Sequence, residues 1–255
     1  MHSSIFRVLI VLAVLGVQPL SSVQATERLV SLNYCYDFLL QRWAHDHQEL
    51  LASTDIGRRL EHVFAFNPDL VLANRFNNPD SIRLLRARGM QVEILDEPST
   101  LVGVLELWQQ VATLLGEPEQ AQKDIATLEA LLASALSARL VERSRGSFIA
   151  YQANQWAWGG GSLLSELMSA LGFENLADST QVLVRLTPEH IIAMKPDWLL
   201  LEGSEGSFAL AHISQWHAGL KQDHVRVVQL SPEITGCLAQ RLAEMVPKLE
   251  ELLGG

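Results

Sequence analysis

The sequence predicts an α/β protein of two similar lobes with parallel sheets, joined by a long rigid helix. Three observations carry this reading. First, a twelve-residue pattern occurs twice: Glu61–Leu72 reads EHVFAFNPDLVL and Glu189–Leu200 reads EHIIAMKPDWLL, with six of the twelve positions identical. A repeat found only twice, and so far apart, suggests two lobes rather than a solenoid, whose units recur every 20–50 residues. Second, short apolar strand candidates alternate with helical segments in both halves, the pattern of parallel sheets covered on both faces. Third, a helical region without strand signals separates the two halves.

The elements follow in order. Arg28 to Leu32 is an apolar strand candidate, and Asp37 to Trp43 reads as the start of a helix. Glu61 to Phe66 is a short helix ended by Asn67-Pro68, because a residue before proline avoids the helical region. Leu70 to Ala73 is too continuously apolar for a one-sided sheet and reads as a buried strand. Asp80 to Arg88 is a charged helix stopped by Gly89, and Val92 to Leu95 is the next strand. Ser99 or Thr100 caps a helix running to Leu115. Gly116-Glu117-Pro118 interrupts it, and Pro118 suits the first turn of a second helix. That helix runs to about Val141, roughly 36 Å at 1.5 Å per residue, enough to bridge two lobes. In the second half, Phe148 to Tyr151 is a strand. Ser162 to Leu171 is a helix with apolar positions 163, 164, 167, 168 and 171, stopped by Gly172. Glu189 to Met194 and Trp198 to Leu201 repeat the helix–strand unit. A helical stretch near 208–219 and the strand Val225 to Leu230 complete the reading.

The expected domains are a signal segment at 1–25, an N-terminal lobe at 26–98, a helical linker at 99–142 and a C-terminal lobe at 143–255. Arg7, the apolar run Val8 to Val17 and the small-residue site Val23-Gln24-Ala25 have the form of a cleaved secretory signal. The run is too short to span a bilayer. An exported protein is therefore expected. The net charge of −10 becomes −11 once the segment carrying Arg7 is removed. That balance argues against nucleic acid or an anionic membrane surface as partner. Cys35 and Cys237 are the only two cysteines. In an oxidising compartment two thiols in one chain often pair. Buried free thiols and a soft metal site remain the alternatives, although the spacing offers no zinc motif.

Ligands of open parallel sheets sit beyond the C-terminal ends of the strands. That rule selects four loops here. They are Asn33-Tyr34-Cys35-Tyr36, then Asn74-Arg75-Phe76-Asn77-Asn78, then Gln152 to Gly159 with Trp156 and Trp158, then Glu202-Gly203-Ser204-Glu205-Gly206. The expected ligand-binding residues are Asn33, Tyr34, Tyr36, Arg75, Phe76, Gln152, Trp156, Trp158 and Glu205. Aromatic surface with a few polar groups suits a large, partly apolar ligand. Gly159-Gly160-Gly161-Ser162 matches neither nucleotide-binding glycine pattern. His45-Asp46-His47 offers metal-ligating groups but reads as a polar surface. No nucleophile has an evident base, and neither Gly-x-Ser-x-Gly nor His-Glu-x-x-His occurs, so no enzyme and no resident cofactor are expected. On physical grounds alone, Glu61 and Glu189 are acidic residues favouring helix N-termini.

Several of these segments together carry a family resemblance. Arg-Leu-Val-Ser-Leu-Asn at 28–33, the two Glu…Pro-Asp-x-(Leu/Val)-Leu units, Gly-Gly-Gly-Ser-Leu-Leu-x-Glu-Leu at 159–167 and the long helix between resemble the periplasmic substrate-binding proteins for cobalamin, haem and iron–siderophore complexes. The resemblance covers the mature chain. It implies two Rossmann-like lobes with parallel sheets linked by a single long rigid α-helix, a metal chelate held between them, and a monomer docking on the permease dimer of an ABC importer. It further implies that Glu61 and Glu189 bond permease arginines, and that Cys35 and Cys237 form a disulfide. Two departures stand out: Ser231 to Cys237 lacks the aromatic often found there, and Asn74 stands where cobalamin-binding members often have Trp. The ligand therefore stays open among corrinoid, haem and ferric chelate. A free zinc- or manganese-binding protein of related architecture is the alternative.

Overall fold

The computed structural model describes residues 27–57, 59–139, 144–177, 180–203 and 209–254. The expected signal segment and Glu205 lie outside the described residues. The first lobe is a four-stranded parallel sheet of order β2-β1-β3-β4. Its strands are β1 (Arg28–Ser31), β2 (Glu49–Leu51), β3 (Leu70–Asn74) and β4 (Val92–Leu95). Helices α1 (Tyr34–Trp43), α2 (Ser53–Ile56), α3 (Leu60–Phe66) and α4 (Pro79–Ala87) connect them. Strand β3 is buried at all five positions, as its unbroken apolar run requires of a central strand covered on both faces.

The linker is two helices, α5 (Leu101–Leu114) and α6 (Glu119–Arg139). The Thr100 side chain accepts from Gly103 N to cap the first. Gly116 and Glu117 at positive φ turn the chain between them. At 21 residues, α6 spans roughly 31 Å.

The second lobe is a six-stranded sheet containing the path β10-β9-β5-β6-β8. Its strands are β5 (Ser147–Tyr151), β6 (Trp156–Trp158), β7 (Glu174–Asn175), β8 (Leu183–Arg185), β9 (Trp198–Glu202) and β10 (Arg226–Leu230). Its helices are α7 (Leu163–Ala170), α8 (Pro188–Met194), α9 (Pro232–Gly236) and α10 (Leu238–Gly254). This sheet is not wholly parallel. β6 runs antiparallel to both β5 and β8. The tight excursion at Ala153–Gln155, with Asn154 and Gln155 at positive φ, folds the chain straight back instead of into a helix. The helical stretch expected near 208–219 is two short 3-10 helices, at Leu210–Trp216 and Ala218–Leu220.

One core joins the lobes. Leu29, Leu70 and Leu72 of the first sheet and Phe148, Ala150 and Leu200 of the second belong to the same buried cluster. Between them lie buried residues of α1, α5, α7 and α10. The last helix is tied to the linker: Trp108 Nε1 of α5 donates to Ala239 O at 2.9 Å. A further clamp ties α6 to α1. Asp124 accepts from Arg42 Nη2 at 2.7 Å, from Trp43 Nε1 at 2.7 Å and from Gln120 Nε2 at 2.9 Å.

Both copies of the repeat adopt one geometry. Each helix ends at a residue in the left-handed region, Asn67 (φ 49°) and Lys195 (φ 52°), just before the proline. Each aspartate then holds the first residue of the neighbouring strand. Asp69 Oδ2 accepts from Arg28 N at 2.8 Å, and Asp197 Oδ2 accepts from Ser147 N at 2.7 Å.

Candidate functional site

The parallel strands of the first sheet deliver their C-terminal ends to a cavity of about 510 Å³ between the lobes. The first lobe contributes Asn33 and Cys35 after β1, Asn74, Arg75 and Phe76 at the end of β3, and Glu97 after β4. The second lobe contributes Trp158 of β6, Leu163 and Leu164 of α7, and Thr235, Gly236, Leu238, Ala239 and Gln240 after β10. Backbone chemistry sets the loop shapes. The Asn33 carboxamide caps α1 by accepting from Cys35 N at 2.8 Å. Asn74, itself buried, folds its loop by accepting from Phe76 N at 3.0 Å, while its own N–H donates to Asn77 Oδ1 at 2.8 Å. Phe76 is thereby held outward, 72% exposed, with the Arg75 guanidinium 5.1 Å from its ring centroid.

A disulfide crosses this site. Cys35 and Cys237 are bonded, with sulfurs 2.06 Å apart and Cα atoms 5.1 Å apart. It ties the first turn of α1 to the segment between α9 and α10, so it staples the first lobe to the end of the second.

Four of the expected ligand residues line the cavity: Asn33, Arg75, Phe76 and Trp158. Tyr36 does not. It is fully buried, and its hydroxyl donates to Leu95 O at 3.3 Å. Burial, reinforced by the nearby Glu97 carboxylate, pushes its phenol well above the usual range. The helix begins at Tyr34, which turns Tyr36 inward as a core residue. Tyr34, Gln152 and Trp156 also lie outside the cavity lining. Tyr34 is 45% exposed and packs edge-on against Phe38. Trp156 lies with the Arg185 guanidinium 5.9 Å over its ring.

Glu97 is a polar cavity residue absent from the sequence-predicted set. Its carboxylate accepts from Asn74 Nδ2 at 3.3 Å and from Gln240 Nε2 at 3.0 Å, bridging the first lobe to α10. The strand-end rule applied to Val92–Leu95 selects the loop that holds it. Leu163 and Leu164, also outside that set, come from the start of α7, where the Ser162 cap sets the helix against the cleft.

Glu61 and Glu189 are exposed in the first turns of α3 and α8. The Thr187 hydroxyl and the backbone N–H hold the Glu189 carboxyl below its usual range, with His217 and His190 adding to the effect. His45 and His47 stack at 5.3 Å, but among the described residues no three His, Cys, Asp or Glu come together to hold a metal ion. No helix of the described residues is long and apolar enough to cross a membrane.

Comparison with known proteins places this geometry. Residues 29–226 match a family model described as periplasmic binding protein. The vitamin B12-binding protein of Salmonella typhimurium is 27% identical over 157 residues, which are 60% of this chain and 59% of that protein. The match therefore spans less than two thirds of that relative's length. Among solved structures, the periplasmic heme-binding protein RhuT of Roseiflexus superposes with a TM-score of 0.66 at 20% identity, covering 89% of this chain and 98% of that one. The periplasmic vitamin B12-binding protein BtuF of Vibrio cholerae gives 0.63 at 18% identity, covering 90% and 97%. These likenesses are of fold.

Proposed function

Because the chain belongs to the periplasmic binding protein family, we propose that it captures a metal chelate between its lobes and delivers it to the permease of an ABC importer. The chelate class is corrinoid, haem or ferric siderophore. The observation that carries this reading is the cavity itself, built from the strand ends of the first lobe and from β6, α7 and the start of α10 in the second, and walled by Phe76 and Trp158 together with Arg75 and Glu97. A large planar or globular chelate needs such apolar surface with few polar anchors. The names of the similar proteins support the same class of ligand.

Asn33, Arg75, Phe76 and Trp158 are the proposed contacts. Tyr34, Gln152 and Trp156 flank them on the same loops. Glu61 and Glu189 are the proposed docking residues, because the repeat sets them at equivalent, exposed helix starts where a carboxylate can meet a partner's guanidinium. The protein acts as an exported binding component, with the permease supplying passage.

Titration of the purified chain with cyanocobalamin, haemin and ferric siderophores tests the proposal. One of them quenches the fluorescence of Trp158, with one chelate bound per chain. Silence with all three classes refutes it.

A further inference from the structure

The wall that the chain after β10 gives to the cavity is held differently on the two sides of Cys237. Leu238, Ala239 and Gln240, which open α10, are buried, and the first two belong to the core that joins the lobes. Ala239 O accepts from Trp108 Nε1 at 2.9 Å, and Gln240 Nε2 donates to Glu97 at 3.0 Å. Thr235 and Gly236 also line the cavity but belong to α9, a helix of five residues. A helix that short is not stable alone and keeps its place through what it is tied to. The Thr235 hydroxyl donates to Pro232 O, within α9 itself. Apart from its own helix and chain neighbours, a methyl group at Gly236 would meet no atom within 4 Å. No described side chain of α9 joins a hydrophobic core cluster. β10 fixes one end of this stretch to the second sheet. At its other end stands Cys237, bonded to Cys35 in the first turn of α1.

The two sulfurs differ in access. Cys237 is 4% exposed, whereas Cys35 is only partly buried and lines the cavity. A small dithiol that enters the cleft therefore meets Cys35 Sγ first. Its thiolate attacks that sulfur, forms a mixed disulfide and expels the Cys237 thiolate, which takes up a proton. The second thiolate of the reductant then closes the reductant's own disulfide and expels the Cys35 thiolate, which is protonated in turn. The dithiol is oxidised by two electrons and the chain gains two thiols. The shared core and the bond from Gln240 to Glu97 involve neither sulfur, so the lobes stay together while the α9 wall loses its tie to α1.

We propose that the Cys35–Cys237 disulfide is a redox latch on the cleft: oxidised, it pins the α9 wall against α1, and its reduction by a dithiol frees that wall and speeds the release of a bound ligand. The release half rests on chelate capture in the cleft; the pinning half does not.

Hydrogen exchange followed by mass spectrometry tests the pinning without any ligand, on the chain before and after complete reduction with dithiothreitol. At short exchange times the amides of residues 233–237 exchange at least tenfold faster in the reduced chain, whereas those of β1, β5 and β9 stay protected in both forms. Equal exchange at 233–237 overturns the latch. So does a bridge that dithiothreitol reduces only in denaturant, since Cys35 would then be closed to the reductant. Loss of the far-ultraviolet circular dichroism on reduction overturns it as well, since the bridge would then hold the fold and not one wall. Release is read by stopped flow with cyanocobalamin and haemin as probes. Cys237→Ala breaks the bridge but leaves the Cys35 sulfur in the cavity wall, so it removes the latch and keeps that contact. A probe that binds the wild type leaves this variant at least fivefold faster, and an unchanged rate overturns the control of release. If neither probe binds the wild type, chelate capture fails instead, and the exchange result alone decides the latch.

Discussion

Removing the Cys35–Cys237 disulfide tests how the two lobes are held together. The bridge closes a loop with a sequence separation of 202 residues. In the chain-entropy model a loop of that length restricts the unfolded state by about 5 kcal/mol, and measured bridges more often give about 2–4 kcal/mol. The folded state should change little, because the lobes also share one core and the bond from Gln240 Nε2 to Glu97. Cys35→Ala with Cys237→Ala is the clean perturbation, since Cys237 is buried and a serine hydroxyl there would need a partner. The variant should lose about 2–5 kcal/mol. With a urea m-value of about 2–3 kcal/mol/M, the midpoint falls by about 1–2 M. The m-value should rise at the same time, because the unbridged unfolded chain exposes more surface. Chemical denaturation followed by far-ultraviolet circular dichroism measures both, and the shared core requires a single transition. A midpoint within about 0.3 M of the wild type, or an unchanged m-value, refutes the unfolded-state argument. Two separated transitions would refute the shared core.

Four further outcomes follow from the same geometry. Glu61→Arg with Glu189→Arg should abolish chelate uptake in cells while the purified variant binds chelate within about twofold of the wild type; normal uptake removes the docking role. Asp124→Ala should cost about 3 kcal/mol in urea unfolding at pH 7, because it strands the Trp43 N–H and leaves the partly exposed Arg42 to find water. Burial opposes ionisation of Asp124, but the bonds from Arg42 and Trp43, with the Arg42 charge and Gln120, outweigh it and lower its pKa. Its contribution is therefore complete above the unfolded carboxyl value of about 4 and is lost as pH falls through the lower folded value, so acid unfolding of Asp124→Asn should be flatter there than that of the wild type. Asp197→Ala should cost about 1 kcal/mol by thermal unfolding, as the exposed carboxylate loses its bonds to Ser147 N and Oγ; no change would show that β5 needs no such clip.

Much of the fold is legible in the sequence because its signals are local. Pro68 and Pro196 mark helix ends, Gly89 and Gly172 mark left-handed stops at φ 81° and 91°, and the buried strands are short apolar runs. What stays hidden depends on contacts between distant segments. The helix at 238–254 has no place among the sequence-predicted elements, although Leu238, Leu242, Met245, Leu249 and Leu253 recur at helical spacing and are all buried. The antiparallel β6 and β8 are hidden because three-residue strands carry no periodicity. Tyr36 reads as a loop residue because nothing before it announces that the Asn33 carboxamide starts a helix one residue later. The site divides on the same line. Strand ends locate the loops, but only packing tells which side chain of each loop meets the cavity.

The two halves of the repeat have different local surroundings. Its C-terminal half is architectural in both lobes: a left-handed residue before proline releases the chain into a buried strand, and the aspartate clips the start of the strand beside it. These bonds tie each short helix to its own sheet rather than to the opposite lobe. The leading glutamates meet unequal local support. Thr187 and Pro188 start α8 with a side-chain cap, whereas Arg59 starts α3 without one. At α8 the Glu189 carboxyl accepts from the Thr187 hydroxyl and so serves the helix start locally. The docking requirement proposed for the pair rests instead on their equivalent, exposed places in the repeat. The shared core and the disulfide supply what such a requirement needs, a fixed relation between the two helices that present the glutamates.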